Sequence, residues 1–337
     1  MDPPRSVTAV LPKAELHVHL EGTAPPHLVR RIAERNGLHL PEGLFAGPDR
    51  FAWRDFLSFL QAYDLAASVI RTGEDYRDIT YEYLASCAEQ GAIYVELTAS
   101  PDHAALAGMD LAEQLDGIAA GIDDARAAHG IEARILLVCI RNLGVELAVR
   151  VAEQAAARPH PYVVGFSMAG DEAGYPPEPF AAAYAIASGA GLGCTVHAGE
   201  WAGPESVRGA LELPVSRISH GVRAIEDPLL VEELARRGVV LECCPTSNVV
   251  LGVFDSFEAH PLPALRRAGV RVTLGSDDPP YFGSSVGGEY EVARERFGMT
   301  DAELLEVTRT AIEASFAEPE LRALLLQTVG DLDPRRS

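Results

Sequence analysis

The sequence predicts an α/β fold, a closed (β/α)₈ TIM barrel, on three observations. A helical stretch repeatedly ends at Gly and passes into an apolar, β-branched run, as in EQGAIYVELTA, HGIEARILLVCI, GAGLGCTVHAG, RRGVVLECCP and RAGVRVTLGSD. Gly after the last helical turn supplies a left-handed cap and turns the chain into a strand. The runs are nearly continuous in apolar residues rather than alternating, which is how parallel strands covered on both faces read. There are eight such runs, with helical patterns between them, as the barrel requires.

The eight strands are expected at about 14–19, 93–98, 134–140, 162–168, 194–198, 216–220, 239–244 and 271–277. Pro25 and Pro26 suit a first helical turn, and that helix stops at Gly37. PLLVEELARRG and PLPALRRAG also start at Pro and stop at Gly. The first connection, about 22–92, exceeds one helix and gives an extended helical β1–α1 region. It holds FAWRDFLSFLQAYDL, Phe51 to Leu65, whose apolar positions recur at helical spacing. This is either a helix packed on the barrel or a lid covering a ligand at its mouth. Residues before 14 and after about 300, including C-terminal helices, trim the barrel. One domain is expected over 1–337, with its core at about 11–316. The structural alternative is an open doubly wound sheet, but its phosphate fingerprint is absent. GAGLG precedes a strand instead of opening a helix.

The chain has 337 residues, 47% of them hydrophobic and 23% charged, enough for a large core. A net charge of -21 argues against nucleic acid and anionic membrane as partners. It fits a neutral or cationic small substrate. The opening MDPPRSVTAV lacks the basic start and apolar run of a secretory leader. No uncharged apolar stretch is long enough to span a bilayer. Cys87, Cys139, Cys194, Cys243 and Cys244 contain no CxxC and read as reduced core thiols of a cytoplasmic protein.

Barrel chemistry sits at the C-terminal ends of the strands. Strand 1 ends ELHVHLEG with His17, His19 and Glu21. Strand 5 ends TVHAGE with His197 and Glu200. Strand 6 ends ISHG with His220, and strand 8 ends GSDD with Asp277 and Asp278. Side chains alternate along a strand, so His17 and His19 point the same way and can hold one metal. Alone, an HxH is usually structural. Joined by His197 and Asp277 at other strand ends, it suits Zn²⁺ with a position open for water. His220 and Glu200 then stand nearby as unbound acid/base groups. Strand 4 ends GFSMAG, without the Lys that would bridge two metals, so one metal per chain is expected.

LPKAELHVHLEGT, AGDE (Ala169 to Glu172), TVHAGE, SHG and SDDP, in this order, resemble the adenosine deaminase family of metal-dependent amidohydrolases over about residues 11–316. The resemblance implies hydrolytic deamination of a 6-aminopurine by a zinc-activated water attacking C6, with release of ammonia. His17, His19, His197 and Asp277 would hold the Zn²⁺. Glu200 would give a proton to purine N1, and His220 would orient and help deprotonate the water. Asp278 would hydrogen-bond at N7. Gly170 would present its N–H near N3, and His19 and Glu21 would complete the substrate contacts. Glu200 must be protonated at neutral pH for this role, so its surroundings should raise its pKa.

The expected substrate is adenosine or deoxyadenosine. Adenine and 6-aminodeoxyfutalosine stand as alternatives, because the family's motifs divide here. Glu21, where nucleoside members usually carry Asp to meet the 5′-hydroxyl, and SDDPPYF resemble the adenine branch, whereas AGDE resembles the nucleoside branch. Other readings are a purine-binding barrel without turnover, a secreted growth-factor-like relative, and an amidohydrolase of amides or esters. The intact acid/base set, the opening residues and the lone metal with Glu200 and Asp278 disfavour them. His103, after strand 2, is placed near the barrel mouth, where a bland role is favoured over a functional one, and His27, His39, His129, His160 and His260 are expected to be solvated. Ser247 and Asn248 either touch substrate or satisfy loop backbone. The sequence gives no oligomeric state.

Overall fold

The computed structural model describes residues 11–157 and 160–331. The opening MDPPRSVTAV, from which the absence of a leader was inferred, lies outside the described residues, as does the end of the expected 1–337 domain. Eight parallel barrel strands form. They are β1 (Lys13–Glu15), β2 (Ala92–Ala99), β3 (Glu132–Ile140), β4 (Val163–Ala169), β5 (Gly193–Cys194 and His197–Ala198), β6 (Arg217–His220), β7 (Val240–Cys243) and β8 (Arg271–Leu274). Each overlaps an expected run.

The sheet curls in two arcs that share β5. Its first half pairs with β4 at the end of the series β1-β2-β3-β4-β5, and its second half pairs with β6 at the end of β8-β7-β6-β5. The expected continuous strand 194–198 is therefore broken at Thr195 and Val196. Parallel bridges of Val18 to Asp277 and of His19 to Thr98 close the barrel.

The first connection is richer than its periodicity showed. An antiparallel hairpin, Phe45–Gly47 with Arg50–Phe51, precedes helix Phe56–Ala67. Asp55 caps that helix in a reciprocal box with Ser58, and Thr72 caps helix Gly73–Glu89 with Asp75. The C-terminal helices do more than trim the barrel. Thr308, on helix Asp301–Ala314, donates to Pro12 O at 2.8 Å, tying that helix to the start of β1.

An ion layer fills the barrel below the strand ends. Arg217 Nη2 lies 2.6 Å from Glu96 Oε2, and its Nε lies 2.6 Å from Glu242 Oε1. Ser219 and Thr195 hydroxyls donate to the other Glu242 oxygen at 2.7 and 3.2 Å. The Phe316 ring sits 3.6 Å from the Arg217 guanidinium. A Cβ on Gly193 would stand 2.2 Å from that ring, so β5 needs Gly there for Phe316 to enter. Among the described residues no helix is long and apolar enough to cross a membrane.

Arg217→Met should destabilise the protein by about 3–5 kcal/mol, because two buried carboxylates lose their common counter-ion. Urea unfolding would measure this, and a change under about 1 kcal/mol would show the layer to be dispensable.

Candidate active site

The barrel seam brings the first and last strand ends together. Asp277 N–H donates to His17 O at 3.1 Å, and His19 N–H donates to Asp277 O at 3.0 Å. Glu15 accepts from Ser276 N at 2.6 Å and ties the same two segments. Asp277 (φ 63) and His220 (φ 61) are the only non-glycine residues with positive φ among the described residues. Each conformation costs roughly 1–3 kcal/mol and persists where surrounding contacts impose it.

His17, His19, His197 and Asp277 are buried with their ligand atoms within 4.8 Å of one another. His17 Nε2 and His19 Nε2 lie 3.1 and 3.2 Å from His197 Nε2, and 3.5 and 3.4 Å from Asp277 Oδ1. Backbone carbonyls fix two of the tautomers. His17 Nδ1 donates to Glu242 O at 3.1 Å and His197 Nδ1 to Met168 O at 2.9 Å. In the neutral rings both Nε2 atoms then carry lone pairs, and they face each other. Such an arrangement is repulsive without a cation between them. Ligands at zinc's usual bond length of about 2.0–2.1 Å stand roughly 3.3–3.4 Å apart on a tetrahedron. The donor set and its spacing both fit such an ion. Ser247 Oγ holds the other Asp277 oxygen at 2.6 Å, the kind of supporting contact that orients a ligand.

The neighbouring carboxyls titrate apart. Burial opposes ionisation of Asp277, but its contacts with the His17 and His19 imidazoles prevail and hold it well below the usual carboxylate range. Burial, then the Asp277 charge, push Asp278 well above that range. Burial, then Asp277 and Glu172, raise Glu200 in the same direction. Burial and the neighbouring His17 push His220 down to about 3.

Glu172 positions the loop that carries Glu200. Its carboxylate accepts from Glu200 N at 3.0 Å, Trp201 N at 2.7 Å and Ala202 N at 3.1 Å, and from Gly199 N and Ser206 Oγ. Arg141, fully buried, donates to His197 O at 2.7 Å.

A cavity of about 300 Å³ opens over the cluster. His19, Gly170, His197, Glu200, His220, Asp277 and Asp278 all line it. Helix Phe56–Ala67 roofs it with Phe56, Phe59, Leu60, Tyr63 and Asp64. Phe56 packs on Trp201 and Phe59 on Phe282, each with ring centroids 5.0 Å apart. His103 Nε2 meets Asp64 of this helix at 3.0 Å. Of the two readings for the FAWRDF segment, the placement is that of a roof.

Two expectations change. Glu21 is not among the cavity-lining residues. Its Oε1 accepts from Tyr76 OH at 2.9 Å, Ser100 N at 3.0 Å and Gln114 Nε2 at 3.4 Å. His260 is not solvated but 3% exposed, hydrogen-bonded to Asn248. His103 lines the cavity, at the barrel mouth where its place after strand 2 puts it. Ser247 and Asn248 touch Asp277 and His220. Glu172 lay in the AGDE motif without an assigned task. Its signal was an acid beside a strand end, but four of its five partners are backbone amides, which no side-chain pattern reveals.

The fold and site define an α/β barrel whose strand ends gather a candidate metal-ligand cluster, with two raised carboxyls beside it. A family profile described as adenosine deaminase matches residues 12–332, and the chain belongs to that family. It is 50% identical over 315 residues to a Mesorhizobium japonicum protein named adenine deaminase, covering 93% of this chain and 97% of the relative. An adenine deaminase structure from Arthrobacter aurescens superposes with a TM-score of 0.88 at 32% identity, covering 96% of this chain and 99% of that one. A Burkholderia ambifaria amidohydrolase solved with zinc bound gives a TM-score of 0.87 at 25% identity, with coverage of 98% and 95%.

Asp277→Ala should abolish stoichiometric metal, measured by elemental analysis of purified protein, whereas Glu200→Gln should retain it. Full metal in the Asp277 variant would remove this residue from the ligand set.

Proposed function

We propose that this protein is a zinc-dependent adenine deaminase, holding one Zn²⁺ per chain on His17, His19, His197 and Asp277 and converting adenine and water to hypoxanthine and ammonia. The observation that carries the reading is the pair of buried carboxyls beside the cluster, both pushed well above the usual carboxylate range. Adenine flanks its C6 amino group with two lone-pair nitrogens, N1 and N7. Glu200 and Asp278 both line the cavity, where they can supply two hydrogen-bond donors. Asp278 Oδ1 is buried without a hydrogen-bond partner, which suits a group that meets substrate.

The choice of the base over the nucleoside has two supports. Two of the relatives described above, from Mesorhizobium japonicum and Arthrobacter aurescens, carry the name adenine deaminase. Glu21, at the position where the resemblance implies a 5′-hydroxyl contact, is engaged by Tyr76, Ser100 and Gln114. The adenosine expectation therefore yields to its alternative.

When bound, zinc supplies a Lewis acid that brings the pKa of water toward neutrality. The protein's residues do the rest. Glu200 gives its proton to N1, which withdraws electrons from C6. Asp278 holds N7, and Gly170, left-handed at φ 110, turns its backbone N–H toward N3. Phe56, Phe59 and Phe282 exclude bulk water over the purine. Water's oxygen bonds to C6 and the C6–N bond breaks. Of water's two protons, one restores Glu200 and the other leaves on ammonia. The unpaired buried cysteines suit a cytoplasmic enzyme.

The test offers zinc-loaded protein adenine, adenosine, deoxyadenosine and 6-aminodeoxyfutalosine, reading ammonia and the ultraviolet change from 6-amino to 6-oxo. Adenine should be preferred by at least about 100-fold in kcat/KM, because the nucleoside's extra bulk has no polar partner waiting at Glu21. Equal turnover of adenosine would overturn the base preference. No turnover of any 6-aminopurine would overturn deamination. Glu200→Gln should bind adenine while losing at least about 100-fold in kcat.

A further inference from the structure

Behind His220 runs a chain of three hydrogen bonds that the reaction above leaves unused. It begins at a backbone amide, which can only donate. Leu262 N–H points at His260 Nδ1 at 3.3 Å. His260 Nδ1 therefore accepts, and the neutral ring carries its proton on Nε2. That Nε2 lies 3.1 Å from Asn248 Oδ1, so the amide oxygen accepts and the direction of the amide is set. Asn248 Nδ2 then faces His220 Nδ1 at 3.2 Å. An amide NH₂ donates, so His220 Nδ1 must accept and its proton must sit on Nε2.

All three side chains are buried. The His260 ring packs against Phe254 and Phe297, with centroids 5.2 and 5.6 Å away. Burial pushes its pKa down to about 3, so the neutral ring is the one present at neutral pH. Asn248 lies on the short helix Pro245–Val250 after β7, and His260 lies in the segment before β8. The connection between these strands thus reaches under the end of β6. On its other side, His220 Nε2 lies 3.7 Å from Glu200 Oε2 and lines the cavity.

We propose that Asn248 and His260 are positioning residues that hold His220 as its Nε2–H tautomer, so that His220 donates a hydrogen bond into the reaction centre and does not accept the proton of the attacking water. The reaction step rests on the deaminase reading above, whereas the tautomer does not. The water proton goes instead to Glu200, whose carboxylate has just given its own proton to N1. The second water proton departs with ammonia, and His220 ends the cycle as it began.

The test labels the histidines of the zinc-loaded protein with ¹⁵N and records long-range ¹H–¹⁵N spectra, which separate protonated from bare ring nitrogens. The His220 signals are assigned by their loss in His220→Gln. Wild type should show His220 with Nδ1 bare and Nε2 protonated. Asn248→Asp is nearly isosteric, but its carboxylate only accepts, so the His220 tautomer should reverse. kcat for adenine should then fall roughly 10–100-fold, with metal content and KM nearly unchanged. His260→Phe, which frees the amide to rotate, should leave His220 with mixed tautomers.

A wild-type His220 protonated on Nδ1 would overturn the proposal whatever the variants do. A reversed tautomer in Asn248→Asp with full kcat would overturn the donor role. The Nε2–H tautomer seen in a protein that deaminates nothing would sink the deaminase reading and uphold the lock. Adenine turnover by an Nδ1–H His220 would do the opposite.

Discussion

The structure depends on the closure of the barrel between β1 and β8. Two backbone hydrogen bonds at that seam join His17 and His19 directly to Asp277. The act that closes the sheet therefore also assembles three of the four candidate metal ligands. β5, shared by the two arcs, carries the fourth, His197. A barrel that failed to close would lose its core and its candidate site together. The left-handed backbone at Asp277 and His220 fits this view, because strain persists only where many other contacts impose it.

Electrostatics then divides groups that look alike. Asp277 and Asp278 are adjacent in sequence and both buried, yet one faces imidazoles and the other faces the first one's charge. Two like charges so close do not both ionise in a low-dielectric site. The division leaves one residue an anion suited to a cation and favours the protonated, donor form of its neighbour. Glu200 follows Asp278 for the same reasons. Beneath them, Arg217 neutralises Glu96 and Glu242, and Glu172 spends its charge on the N–H groups of the Glu200 loop. Asp278 Oδ1, buried without a hydrogen-bond partner, is left to the cavity that this residue lines.

The sequence by itself determined the eight strands, because a parallel strand covered on both faces needs a nearly continuous apolar run, and before five of them a helical stretch ends at Gly. It also placed His17, His19, His197, Glu200, His220, Asp277 and Asp278 at one end of the barrel, since chain direction fixes which strand ends share a face. What only the tertiary structure decided are contacts between segments far apart in the chain. Glu21 is taken up by Tyr76, Ser100 and Gln114, His260 lies two hydrogen bonds from His220, and Phe316 reaches Arg217 and Glu96. The hairpin before the roof helix and the break in β5 belong with them. Local periodicity reports which way a side chain points from its own strand or helix. It carries no record of the partner that folding brings opposite, and for buried polar groups that partner decides charge, tautomer and role.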